Sequence, residues 1–170
     1  PLPLSEFRNY FTFTLPAFMP TPGPTIIGAE LRLFNPSNPF GGGYNSPDTT
    51  ETYTLFDVSA TPEALDTTRS VGDATGVAIH ADLGSGTIYG MRNVSAADNN
   101  TTVTITLNED ALAALNAAIG STISFGGAIT TLEGADVQIM FGGTTGAFGT
   151  VQLVLETLPE VTAQNIDSSF

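Results

Sequence analysis

His80 is the single imidazole of the chain, so any base, metal ligand or proton shuttle of that type must be built on it. It stands in Val77-Ala-Ile-His80-Ala-Asp82-Leu83, whose alternating apolar residues predict a strand with His80 and Asp82 on one face. A carboxylate beside an imidazole is only half of a hydrolytic device; a nucleophile and an oxyanion site would have to come from elsewhere. The plainer reading is a histidine on the outer face of a strand. Cysteine is absent, which removes thiol catalysis, disulfides and Cys-ligated metals, and one His is too few for a His-rich zinc site. The chain also has no lysine, so Phe125-Gly126-Gly127 and Phe141-Gly142-Gly143 do not make a phosphate loop. These glycines predict bulges, tight turns or the close approach of another backbone.

Hard oxygen ligands are plentiful, and the loops Asp48–Glu51 and Asp98-Asn99-Asn100 are where calcium would be sought. Neither has the spacing of a known calcium loop, and Asp and Asn are ordinary turn residues, so no cofactor or metal is expected. Glu109 and Asp110 are accounted for by a helix N-terminus. Sugar recognition favours exposed aromatic platforms. Trp is absent, leaving Tyr44, Tyr53 and Tyr89 as the stacking residues of an alternative reading, a secreted carbohydrate-binding module stabilised by calcium. Asn93, Asn99 and Asn100 each begin an Asn-X-Ser/Thr sequon, which matters only in a glycosylating host.

The elements that would position these residues are mostly strands. Phe7, Phe11, Phe13 and Leu15 share one parity, as do Ile27, Ala29, Leu31 and Leu33, and Val103, Ile105 and Leu107 alternate with threonines. Further strands are predicted over 52–59, 77–83, 87–94, 122–125, 137–141 and 150–157. Asn108, Glu109 and Asp110 open a helix over about 109–119 with Leu112, Leu115 and Ile119 at helical spacing and Gly120 to stop it. Thr61-Pro62-Glu-Ala-Leu65 predicts a shorter helical turn. Roughly nine strands with Gly-rich and Pro-rich connections predict an all-β, two-sheet antiparallel sandwich of jelly-roll type. The expected organisation is one domain over 1–170 with extended ends at 1–6 and 160–170.

Composition limits the partners. Seventeen acidic residues oppose four arginines, a formal charge of -13, so nucleic acid and anionic membrane are poor partners and neither is expected. No apolar run approaches the ~18–20 residues of a membrane-spanning helix. A start at Pro1 fits a removed secretion signal. The ends themselves are suggestive. Pro1-Leu2-Pro3-Leu4 alternates, and the segment after Pro159 carries Val161, Ile166 and Phe170 on an otherwise polar, extended stretch. Such segments add strands to a neighbour's sheet, with main-chain hydrogen bonds supplying affinity and side chains such as Leu2, Leu4, Val161, Ile166 and Phe170 filling pockets. A donor that differs from its acceptor propagates head to tail.

Over about residues 7–158 the succession Arg8-Asn-Tyr-Phe-Thr-Phe-Thr-Leu15, Ala29-Glu-Leu-Arg-Leu33, Tyr53-Thr-Leu-Phe-Asp-Val58, Asp82-Leu-Gly-Ser-Gly-Thr-Ile-Tyr-Gly90, Thr104-Ile-Thr-Leu-Asn108 and Phe125-Gly-Gly127 resembles secreted bacterial β-sandwich proteins. These are found among the cargo of the exosortase (PEP-CTERM) export system, and the early strands look like DNRLRE-type extracellular domains. The resemblance implies an extracellular or surface-matrix protein with no established enzymatic role. Leu158-Pro159-Glu160 is similar to the start of a sorting signal, but the second Pro, the membrane span and the basic cluster are missing, and Leu158–Thr162 does not fit a sortase signal either. The expected function is therefore a non-enzymatic structural subunit that assembles with copies of itself into a surface fibre or biofilm matrix through terminal-strand exchange.

Overall fold

The computed structural model describes residues 6–17, 24–37, 42–133, 137–142 and 151–158. Among these, seven strands form two antiparallel sheets. The smaller is built on β2 (Thr25–Asn35), flanked by β5 (Thr101–Thr106) and β7 (Val151–Leu158). The larger contains β1 (Asn9–Thr14), β3 (Glu51–Asp57), β4 (Ile88–Val94) and β6 (Thr122–Ile129), in the order β1-β6-β3-β4. The chain crosses repeatedly between the sheets, so neither is completed by one run of sequence. This is the all-β two-sheet sandwich that the alternation predicts.

The core follows from that alternation. Leu31 sits opposite Ile105 on one side and Leu153 on the other, and Ala29, Leu31 and Leu33 turn inward with Val103 and Ile105. Facing them are Tyr53, Leu55, Val94 and Phe125 from the larger sheet. Phe125 meets Tyr89 edge to face at 5.7 Å between ring centres, an arrangement that favours aromatic pairs. Outside the smaller sheet, Arg32 and Glu30 pair at 2.9 Å. One expected parity fails: Ile26 is buried while Ile27 is exposed. The β2–β7 register shifts between Ile26 and Gly28, and the extra residue of this bulge exchanges inside for outside. Phe7, on the predicted inward parity, precedes β1 and is exposed.

Helix α1 (Pro62–Leu65) begins at Thr61, whose hydroxyl accepts from Ala64 N. Helix α2 (Ala74–Asp82) replaces the strand predicted over 77–83. Asp73 caps it by accepting from Gly76 N at 2.8 Å, and none of its own residues is buried. Its apolar alternation is therefore not a core-facing pattern. Leu83, just beyond the helix, provides the buried anchor. Helix α3 (Glu109–Ala117) matches the predicted helix. Asn108 Oδ1 accepts from Ala111 N, Ala111 and Leu115 enter the core, and Gly120 turns the chain away at φ +76°. Asn116 fastens α3 to β2 by bonding both the N–H and the C=O of Ile26. The stretch 137–141 makes only a single bridge, Ile139 with Asn45, rather than a strand. Among the described residues, no helix is long and apolar enough to cross a membrane.

The glycine pair in β6 confirms the predicted close approach. A Cβ on Gly126 would stand 2.6 Å from the Leu83 carbonyl oxygen and 2.8 Å from its Cα, while one on Gly127 would strike the Tyr53 ring and hydroxyl. Backbone atoms cannot step aside as a flexible side chain can, so Gly126→Ala should cost about 1–3 kcal/mol by displacing the segment after α2. Urea unfolding monitored by circular dichroism measures that loss; a midpoint equal to that of the parent chain would show that Leu83 can move freely.

Candidate functional site: the open margin of the sandwich

A two-sheet sandwich has two sides along which edge strands lie, and here they differ. On one side β4 and β5 meet closely. A Cβ on Gly90 would stand 2.7 Å from the Thr106 carbonyl oxygen, and Asn108 N donates to Tyr89 O at 2.9 Å. The other side is bounded by β1 and β7, the remaining edge strands. Leu15 N donates to Ser121 O, which sets the phase of the β1–β6 ladder. Antiparallel pairs alternate, so Phe11 and Phe13 bond to β6 while the backbone groups of Tyr10, Thr12 and Thr14 point away from it. Likewise, Leu107 N bonds Ala29 O, so from Gly28 onward, past the bulge, the odd residues of β2 bond to β5 and the even ones to β7. The outward groups of β7 are therefore those of Val151, Leu153, Leu155 and Thr157. Among the described residues, neither row has a ladder partner.

Between these rows lies a groove of about 180 Å³, lined by Tyr10, Phe11, Leu33, Phe34, Phe141 and Val151. No residue of β7 is fully buried, in contrast to β2 at the sheet centre. Thus the margin combines unpaired main-chain donors and acceptors with apolar side chains, the two components that an added strand satisfies. Sequence parity identified Phe11 as inward-facing, but could not show which amides pointed outward, because that depends on strand order. Leu2, Leu4, Val161, Ile166 and Phe170, the predicted assembly residues, lie outside the described residues.

The two loops where calcium would be sought do converge, at one end of the sandwich, but their oxygens bond to the chain itself. Asn99 Oδ1 accepts from Asn35 Nδ2 at 3.1 Å and Tyr44 N at 2.5 Å, and its Nδ2 returns a bond to Tyr44 O. Asn35 Oδ1 accepts from Phe141 N. Buried Glu51 accepts from the Ser46 and Thr131 hydroxyls. Asp98 closes a capping box with Ser95 around the 3-10 turn Ala96–Asp98. Among the described residues, no cluster of three or more His, Asp and Glu is arranged to hold a metal ion. The arrangement instead ties the 42–51, 95–100 and 139–142 segments together, where unpaired buried polar groups would be costly.

His80 and Asp82 do not form a pair. His80 Nε2 lies 3.1 Å from Glu6 O, whereas Asp82 accepts from Ser59 N, Ser59 Oγ and Ala60 N. The three tyrosines of the sugar-binding alternative are core residues: 3%, 1% and 9% exposed for Tyr44, Tyr53 and Tyr89. Their rings present no open face on which a sugar ring could stack. Tyr89 borders a shallow cleft of about 450 Å³ with Ala114, Ala118, Ile123 and Ser121, and burial, followed by Asp57 and Asp110, pushes its hydroxyl pKa upward. Burial likewise raises that of Tyr44. Compared with family models, with curated proteins and with solved structures, the chain matches none.

Tyr53 has a distinct consequence for stability. Its hydroxyl is buried without a hydrogen-bond partner among the described residues, and burial drives its pKa far above the ordinary value of 10.0. In the unfolded chain the phenol ionises near that ordinary value, so the native state holds more protons above it. This contribution is complete below about pH 10 and is lost as pH rises, by about 1.4 kcal/mol per unit. Tyr53→Phe should flatten the alkaline fall in unfolding free energy and leave stability at pH 7 equal or higher, because it removes an unpaired buried hydroxyl. Denaturant titrations at pH 7 and pH 11 test both signs.

Proposed function

We propose that the chain is a non-enzymatic extracellular structural subunit, assembling with copies of itself into a fibre or matrix by exchange of a terminal strand at the β1/β7 margin. The observation that carries this reading is the coincidence of two strand edges, unpaired among the described residues, with an apolar groove. A strand added along β1 would satisfy the outward groups of Tyr10, Thr12 and Thr14, and could turn alternate side chains toward Phe11 and Phe141. The separation of His80 from Asp82 also supports a role without catalysis. Location outside the cell follows from the resemblance to secreted sandwich proteins. The sugar-binding alternative loses its stacking residues to the core.

The charge of -13 opposes association at low ionic strength. Screening shortens to about 8 Å near physiological salt, so assembly should strengthen as salt is raised. Light scattering across a salt series, with negative-stain microscopy, provides the measurement; discrete globules under every condition would defeat the reading. Thr12 gives a sharper test. Its amide points away from β6, so Thr12→Pro removes an edge donor without removing a β1–β6 bond. Thr12→Ala keeps the donor and loses the hydroxyl contact with Ser124. The expected outcome is assembly by Thr12→Ala and a folded, unassembled Thr12→Pro. Equal assembly by both would remove β1 from the interface.

A further inference from the structure

The two chain ends are not equivalent candidates for the exchanged strand. The segment leading into β1 is fastened to its own molecule. Arg8 Nη1 donates to the carbonyls of His80 and Ala81 at 2.7 and 3.0 Å, in the last turn of α2, where the helix dipole favours a cation. Arg8 Nε pairs with Glu6 at 2.7 Å, and His80 Nε2 meets the Glu6 carbonyl. Gly84 gives the guanidinium room, since a Cβ there would come within 2.5 Å of Arg8 Cζ. This clasp holds the N-terminal side of β1 from Glu6 onward. Releasing it would leave the last carbonyls of α2 without their cation.

The other end leaves from an edge. β7 finishes at Leu158 with its outer row unpaired among the described residues, and twelve further residues follow in the sequence. The chemistry of Pro159-Glu160 disfavours a tight return along that row. Two-residue hairpins use turns with positive φ at their first central position, whereas proline is fixed near -65°. Eleven residues, 160–170, reach ~36–40 Å when extended, more than the length of β7. The groove is comparable in size to cavities that accept a benzene ring. Ile166 and Phe170 are the large apolar side chains near the far end of the segment.

We infer that the exchanged strand is the C-terminal segment 160–170 of a second copy, seated in the β1/β7 groove, while the lead-in to β1 stays clasped through Glu6 and Arg8 to its own α2. This rests on the assembly reading above and assigns its donor. The cysteine-free chain permits a direct test with full-length variants. Differently tagged Val151→Cys and Ile166→Cys proteins are mixed and treated with a short bis-maleimide linker. Mixed Val151→Cys and Leu4→Cys proteins are treated in parallel.

The expected result is a cross-linked heterodimer from the first mixture, at least several-fold more abundant than from the second. A double variant, Val151→Cys/Ile166→Cys, linked within one chain at high dilution would overturn the inference by placing the segment on its own molecule. Preferential linkage through Leu4→Cys would overturn it in favour of the other end. If neither mixture links while the parent chain still assembles, this donor assignment fails and the assembly reading stands. A parent chain that stays monomeric at every salt concentration and protein concentration overturns both.

Discussion

Backbone polar groups at a sheet edge must find water or another partner, and this constraint organises the molecule. The sandwich can bury Leu31, Leu55, Ile105 and Phe125 only by stacking two finite sheets, each of which necessarily ends in two edge strands. The β4/β5 side manages those edges by close approach, helped by the missing side chain of Gly90 and by Asn108, which bonds both Tyr89 O and Ile88 O. That same Asn108 caps α3, so one residue joins the side closure to the end closure. The β1/β7 side has no comparable device among the described residues. Its edges retain polar groups directed outward, with aromatic side chains between them.

Much of this architecture was legible in the sequence, and the reasons for the exceptions are physical. Val103 and Ile105 alternate with threonines because one face of β5 is buried and the other is not, and no other element competes for that pattern. The same period of two misled at 77–83. There the residues form a capped helix lying outside the core, and Leu83 alone among the large apolar residues of the stretch is buried. In such a segment hydrophobic alternation records no face, whereas Asp73 followed three residues later by Gly76 marks a capped start. Ile27 was misassigned because a bulge changes parity without a sequence signal beyond Gly28. The open margin was only half legible: unfinished edges are inherent in a sandwich, but their location follows from β6 lying between β1 and β3, which no local pattern specifies.

The polar residues that first suggested chemistry serve architecture instead. Asp82 holds the turn at Ser59 and Ala60, Asn99 stitches Tyr44 to Asn35, and Glu51 receives two hydroxyls in a buried position. Loops rich in Asn and Gly lose considerable conformational entropy when fixed, and side-chain bonds to their backbone compensate where little apolar area is available. This explains why loops that looked like ligand sites supply so few free ligands. The hydroxyl pairs Thr12–Ser124 and Thr54–Thr130 do similar work across the larger sheet, where they give the buried hydroxyls of Ser124 and Thr54 a partner.

An assembly built through the proposed exchange would have a definite symmetry. The donor follows β7, whereas the acceptor lies between β1 and β7, so the two contacting surfaces are different and their contact is heterologous. Such contacts continue indefinitely unless the rotation between subunits closes a ring. The clasp around Arg8 bears on this geometry because it fixes the lead-in to β1 against α2, keeping one wall of the acceptor in place. A preorganised acceptor loses less entropy when a strand arrives, so the ordering cost falls mainly on the incoming segment. Net negative charge then acts unequally. It opposes each end-to-end junction, and it opposes side-by-side packing of already formed chains more strongly because that repulsion accumulates over their whole length, so added salt relieves both. Together, these effects favour single linear chains of subunits over lateral bundles, with salt setting the balance between them.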